Sequence, residues 1–162
     1  MGDYGKMYPT YTKETCMEMK KLVRYADILT PNLTEACILT DTQYHDNWSK
    51  KELDTLAEKL SSIGPEKIVI TGIQQGKYVA NFCYEKNKAS YMIRTVKVGT
   101  QRSGTGDIFT SIIAADAVNG VDFHTSVRKA SIFIKKCILK SIELDIPLTD
   151  GVCFEELLTT LK

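Results

Sequence analysis

The residues best suited to chemistry stand side by side at Gly104, Thr105, Gly106 and Asp107, inside the stretch QRSGTGDIFTSIIAADAVNG. An apolar helix pattern follows them directly. A helix N-terminus gathers free backbone N–H groups and the positive end of the macrodipole. Glycines there let a ligand come close to the backbone, because no side chain stands in the way. The result is an anion site, for which phosphate is the common occupant. A carboxylate beside a bound anion repels it, so Asp107 is useful only if it does something else, such as accepting a proton from an attacking hydroxyl. Phosphoryl transfer requires both parts: donors for the developing charge and a group that positions the nucleophile. GxxxxGK[ST] is absent, and GTGD is not GxGxxG. Taken alone, the four residues serve equally well as an ordinary helix start, since Asp is favoured in a first turn and Gly is common before it.

A second group is Asn32 and Glu35, an NxxE pair that a helix places on one face. An amide oxygen and a carboxylate suit a hydrated Mg²⁺, which keeps several waters and takes few protein ligands. The same pair is also a helix cap, Asn32 capping and Glu35 completing it. The two readings are compatible, since a cap holds both side chains in place. Other reactive residues form no set. Cys16, Cys37, Cys83, Cys137 and Cys153 are odd in number, and no two have CxxC spacing, against a disulfide framework or a structural zinc. That usage fits a reducing, cytoplasmic setting. His45 and His124 lie far apart; His124 is expected at a helix start with a structural role. Tyr44 and Trp48 read as packing or surface residues in a polar loop, and Lys6 as an exposed loop lysine.

The elements that must carry these residues can be read from periodicity. Apolar positions recur at helical spacing from Thr12 to Ala26. ADILT is a short apolar run, ended by Pro31, and Asn32 opens the next helix. Ser49 and Glu52 have capping-box spacing ahead of a helix that stops near Gly64. EKIVITG is a continuous apolar run that suits a strand covered on both faces. GKYVANFCYE and KASYMIRTVKV read as two strands joined by a turn at Asn87. Helices are expected over Asp107–Asn119 and Thr125–Leu144, and a last one from Phe154. The opening GDYGK reads as a loop. Strands interleaved with helices give an α/β protein, helices on a mostly parallel sheet.

Composition sets the outer bounds. The chain of 162 residues is 43% hydrophobic and 25% charged with a net charge of +1. That suits a single domain over 1–162 and gives no electrostatic reason to expect nucleic acid or an anionic membrane. No apolar run approaches the roughly 20 residues of a membrane span. The N-terminus has no apolar h-region.

Taken in order, TPNLTEA, IVITG and GTGDIF resemble the ribokinase-like superfamily, and within it the vitamin B6 (pyridoxal/pyridoxine/pyridoxamine) kinases. The likeness covers nearly the whole chain. It implies a layered α/β sandwich and ATP-dependent phosphorylation of the 5′-hydroxyl of a B6 vitamer with Mg²⁺; the need for a monovalent cation is left open. Gly104, Thr105 and Gly106 match the family's anion hole, and Asp107 matches its base. Asn32 and Glu35 match the NxxE motif that acts on Mg²⁺, through water, and on the nucleotide phosphates. Thr30 and Thr71 fall near the ATP phosphates, Val98 in the segment flanking adenine, and Asp3 near the phosphate and metal region. Hydroxymethylpyrimidine kinases, the nearest alternative, commonly have GTGC where this chain has GTGD. A noncatalytic nucleotide-binding or assembly fragment is the other alternative. Family members run well beyond this length, so the chain resembles their C-terminal nucleotide portion with the N-terminal part missing. Such a piece is expected to be inactive alone and to self-associate, as a homodimer or otherwise, or to need a partner that buries its exposed sheet edge.

Overall fold

Two capping boxes organise the first half of the chain. In the computed structural model, which describes residues 1–161, Ser49 and Glu52 close reciprocally at the start of one helix, and Asn32 and Glu35 at the start of another. Each satisfies donors that a helix N-terminus otherwise leaves open. The described residues form two compact units, Met1–Arg94 and the residues from Thr95 onward.

The first unit opens with β1 (Gly2–Asp3) and β2 (Lys6–Met7), an antiparallel pair. The expected loop is therefore a minimal hairpin. Its two turn residues, Tyr4 and Gly5, have φ of 49° and 74°, the left-handed pair that matches strand twist in a two-residue turn. Two-residue strands leave no alternation in the sequence, and tyrosine gives no signal for positive φ. Helix α1 (Lys13–Val23) starts at the Thr12 cap and ends sooner than its periodicity suggests. Strand β3 (Ile28–Leu29), α2 (Leu33–Leu39) and α3 (Lys50–Ile63) follow, α3 ending at Gly64.

The sheet then runs through β4 (Lys67–Gln75), β5 (Tyr78–Glu85) and β6 (Tyr91–Val96), in the spatial order β3-β4-β5-β6. Strand β4 outlasts the IVITG run. It passes Gly72, at φ 74°, with a register break between Ile70 and Ile73, and turns at Gly76 into β5. The Gly72 N–H, displaced from the ladder, donates to Asn81 Oδ1 at 3.2 Å. A glycine bulge keeps the strand going where the sequence reads as ending. Because β3–β4 is parallel and β4–β5 antiparallel, the sheet of this α/β fold is mixed. Ile68, Val69 and Ile70 are fully buried. Leu53, Leu56 and Leu60 of α3 and Ala36 of α2 share one core with Ile68, Ile70 and Phe82.

The second unit is built on α4 (Thr105–Val118) and α5 (Phe123–Glu143). Gly120 at φ 71° lets the chain reverse, and Asp122 caps α5 by accepting the Thr125 N–H at 3.0 Å. Phe109, Ile112 and Ile113 of α4 are buried, as are Val127, Ala130, Phe133 and Cys137 of α5. Asp116 of α4 accepts from Lys129 of α5, an ion pair across the hairpin. His124 lies in the first turn of α5, as expected. The final helix expected from Phe154 is a 3-10 helix, Glu155–Thr160. So short a segment gains too few α-type bonds to offset nucleation.

Candidate functional site

The Asn32 side chain is committed on both sides. Its Oδ1 accepts the Glu35 N–H at 2.8 Å, and its Nδ2 donates to the Gly2 carbonyl at 2.8 Å. Glu35 is equally engaged. Oε2 accepts the Asn32 N–H at 3.0 Å, and Oε1 accepts from the Met1 amino nitrogen at 3.0 Å. A further residue completes the cluster: Thr34, 3% exposed, accepts the Gly5 N–H on Oγ1 at 2.8 Å. The hairpin β1–β2 is thus fastened to the start of α2 at three points. Asp3 lies on that hairpin, its Oδ1 accepting the Tyr4 N–H at 2.9 Å. Burial, followed by the negative charges of Asp3 and Glu35, raises the Tyr8 hydroxyl above its ordinary pKa. Asp3 and Glu35 therefore both act electrostatically on Tyr8.

The sheet supplies the other members of this group. Thr71 of β4 donates its N–H to the Pro31 carbonyl at 2.8 Å, and its hydroxyl reaches the same oxygen at 3.3 Å. Asn32 and Thr71 form a parallel bridge. Thr30 lies between β3 and Pro31, half-buried. The first unit thus joins Asn32, Glu35 and Thr71 directly, with Asp3 on the attached hairpin.

The start of α4 is built differently. Gly104 is the cap residue in the left-handed region, φ 86°, and no side chain hydrogen-bonds the helix start. A methyl group at Gly106 would meet nothing within 4 Å, and one at Gly104 only Val152 Cγ1 at 3.9 Å. Asp107, the third helical residue, is exposed. Thr105 turns its hydroxyl back to the Arg102 carbonyl at 3.2 Å. Arg102 is 7% exposed and donates from one terminal nitrogen to the Pro147 and Gly151 carbonyls, both at 3.1 Å. It pins the later segment behind the turn, with Gly151 close to Ser103. Val98 precedes the turn and is half-buried. Next to it Gly99, at φ 54°, packs so closely that a Cβ would meet Ile142 Cδ1 at 2.6 Å.

Thr34 and Arg102 were missed in the sequence. Each stands beside a motif, in NLTE and RSGTGD, but its partner is backbone that only the fold brings near. No group of three or more His, Cys, Asp or Glu that could hold a metal occurs among the described residues. All five cysteines are free thiols. No helix among the described residues is long and apolar enough to cross a membrane.

The mixed, helix-flanked sheet is that of the ribokinase-like fold. The chain belongs to the phosphomethylpyrimidine kinase family, whose model matches residues 7–148. It is 28% identical over 126 residues to the hydroxymethylpyrimidine/phosphomethylpyrimidine kinase of Aquifex aeolicus, covering 76% of this chain and 48% of that protein. It is 26% identical over 114 residues to a pyridoxal kinase of Corynebacterium diphtheriae, covering 68% of this chain and 39% of that protein. Among solved structures, a candidate phosphomethylpyrimidine kinase of Bacteroides thetaiotaomicron superposes with a TM-score of 0.94 at 28% identity, over 99% of this chain and 56% of that one. The pyridoxal kinase of Lactobacillus plantarum shares the fold with a TM-score of 0.89 at 21% identity, over 99% of this chain and 58% of that one. The chain spans about half the length of the curated relatives it matches.

Proposed function

We propose that this chain carries the phosphoryl-transfer residues of an ATP-dependent kinase acting on the 5′-hydroxymethyl group of a B6 vitamer: pyridoxal, pyridoxine or pyridoxamine. The observation that carries the reading is the open start of α4, with its left-handed Gly104, unobstructed Gly106 and exposed Asp107. In the reaction the substrate hydroxyl oxygen bonds to the γ-phosphorus of ATP, the bond to the bridging oxygen breaks, and ADP leaves. The hydroxyl proton passes to the Asp107 carboxylate. Backbone N–H groups of Thr105, Gly106 and Asp107 receive the negative charge on the transferring group. Thr30, Asn32 and Thr71 would lie along the nucleotide phosphates, Asp3 near them, and Val98 against the adenine.

The donor set fits Mg²⁺ held through water. Both Glu35 oxygens already accept one hydrogen bond, which leaves each a lone pair for a metal-bound water. Asn32 Oδ1 is used by the cap, so Asn32 contributes chiefly by holding Glu35 in place. When bound, the ion would neutralise phosphate charge.

The second reading is a hydroxymethylpyrimidine kinase, favoured by the matched family and the Aquifex relative. The B6 reading is supported by the Corynebacterium relative and by the Bacteroides protein, solved with pyridoxal in its orthorhombic form at 27% identity. It also rests on Asp at 107, where the resemblance puts Cys in hydroxymethylpyrimidine kinases. Both readings share the step at Asp107 and differ in the acceptor ring. A parallel assay of ATP-dependent phosphorylation with the three vitamers and hydroxymethylpyrimidine separates them. Selective turnover of a vitamer supports the first reading and selective turnover of the pyrimidine replaces it. Calorimetry with Mg·ATP tests the nucleotide half by itself.

A further inference from the structure

Two buried charges of the second unit are treated differently. Asp116 of α4 is 5% exposed and has its counter-charge, Lys129 of α5, at 2.5 Å. Arg102 is 7% exposed, and among the described residues no carboxylate lies in ion-pair range of it. Its Nη1 donates to two neutral carbonyls, and its Nε is buried without a hydrogen-bond partner. Asp107 and Asp150, acids of the two segments it joins, are both exposed. A guanidinium does not shed its proton in a protein, and a buried charge without a counter-ion is costly. Fastening residues 147–151 through carbonyls requires donors and does not require a charge. The charge borders the open start of α4. The Arg102 carbonyl accepts from the Thr105 hydroxyl at 3.2 Å. The segment that its side chain holds packs on the same turn. A Cβ on Gly151 would meet the Ser103 carbonyl oxygen at 3.3 Å, and one on Gly104 would meet Val152 Cγ1 at 3.9 Å. Backbone and head group of Arg102 therefore both reach the turn at Ser103 and Gly104, one directly and the other through residues 147–152.

We propose that Arg102 is an anion-holding residue of the α4 site, a buried cation whose counter-charge is the phosphate received at Gly104–Asp107. The inference rests on the reading of that helix start as a phosphate site, and adds to it a residue and a whole charge. Backbone amides at a helix start supply directed bonds but only a partial charge. A full charge held out of water reaches further and is screened less by salt. One side chain thus does two things. Its Nη1 fixes the segment that backs the turn, and its net charge raises the affinity of the turn for a dianion. A bound anion also offsets the cost of burying the charge, so phosphate should stabilise the folded chain.

Titration of the isotope-labelled chain with inorganic phosphate, followed by NMR with chloride holding ionic strength constant, tests both layers. The Gly104 and Gly106 amides and the Arg102 Nε–H are expected to shift along one binding curve. Shifts at the glycine amides with an unmoved Nε–H would overturn the proposal and leave the reading of the helix start standing. Unmoved glycine amides would overturn both. Two variants separate charge from fastening. Arg102→Lys keeps the charge and gives up the fork to two carbonyls, whereas Arg102→Gln keeps a neutral donor and gives up the charge. Phosphate affinity should stay within about threefold in the first and fall by about tenfold in the second, as for one charge removed at short range. The rise in urea midpoint that phosphate produces should shrink in Arg102→Gln as well. Equal losses of affinity in the two variants, or no loss in Arg102→Gln, would reduce Arg102 to a fastener and overturn the proposal. If neither variant folds, the titration of the unaltered chain decides.

Discussion

Helices α2 and α4 begin in opposite ways. At α2 every side-chain nitrogen and oxygen of Asn32 and Glu35 makes one hydrogen bond, within the pair or to Met1 and Gly2. At α4 no side chain caps the helix, and the residue in the cap position is a glycine with φ of 86°. A sealed end converts its side chains into fixed posts, useful for holding something at a set distance. An uncapped end keeps its donors for a ligand, at a cost in stability that a Ser or Asp cap would have removed. The contrast separates a fastened helix start from an open one, and each can be perturbed alone.

The largest expected effect belongs to the open end. Asp107→Asn should depress phosphorylation by about 100- to 10,000-fold in the active protein, as loss of a general base does. Its melting temperature should barely move, since the side chain is exposed. A steady-state assay alongside thermal melting reads both, and unchanged turnover would remove Asp107 from the chemistry.

Alkaline pH should load the two units unequally. Burial pushes the Cys37 and Cys83 thiols of the first unit up to about 11 and about 12 from 9.0, while the second unit holds Cys137, raised to about 11 by burial. A raised thiol pKa favours the folded state while the unfolded thiol is still protonated. That stability is complete below pH 9 and is lost as pH climbs toward the folded values of about 11 to 12. Exchange-detected urea unfolding from pH 8 upward should therefore show the first unit weakening more.

Backbone substitutions come next. Gly104→Ala forces a side chain into a left-handed conformation and should cost about 1–2 kcal/mol. Gly106→Ala meets no neighbour, so it should leave the urea midpoint unchanged or raised while hindering phosphate approach and lowering turnover. If both glycine variants lost stability and kept full activity, the receptive role of this end would be wrong.

At the sealed end the effects are smaller and structural first. Asn32→Ala should cost about 0.5–2 kcal/mol through the lost cap. Asn32→Ser keeps an accepting cap oxygen and loses the bond to Gly2, about 0.5–1.5 kcal/mol. Comparing the two by urea titration isolates the share of the hairpin. No loss in the variant that keeps the cap would mean that the hairpin attachment contributes nothing.

Local rules made much of this legible. Both capping boxes, the hairpin turn at Asn87 with its φ of 66°, and the helices that became α4 and α5 follow from signals within a few residues. The Asn32–Glu35 cap and the glycine-led start of α4 were legible because capping and backbone turns are themselves short-range. The opening hairpin, the run of β4 past Gly72 and the 3-10 form of the last segment were not legible. Each depends on a partner elsewhere: α2 for the hairpin, β5 and Asn81 for the bulge, and the want of supporting bonds for the last turn.

What the sequence determined alone was where helices begin, which runs are buried, and which residue types stand at the two helix starts, because periodicity and capping act between neighbours in the chain. Only the tertiary structure decided that Glu35 shares its oxygens with Met1 and that Thr34 and Arg102 fasten backbone from distant segments. Those facts rest on which strands pair and in which register, and register is set by packing across the sheet and not by local preference.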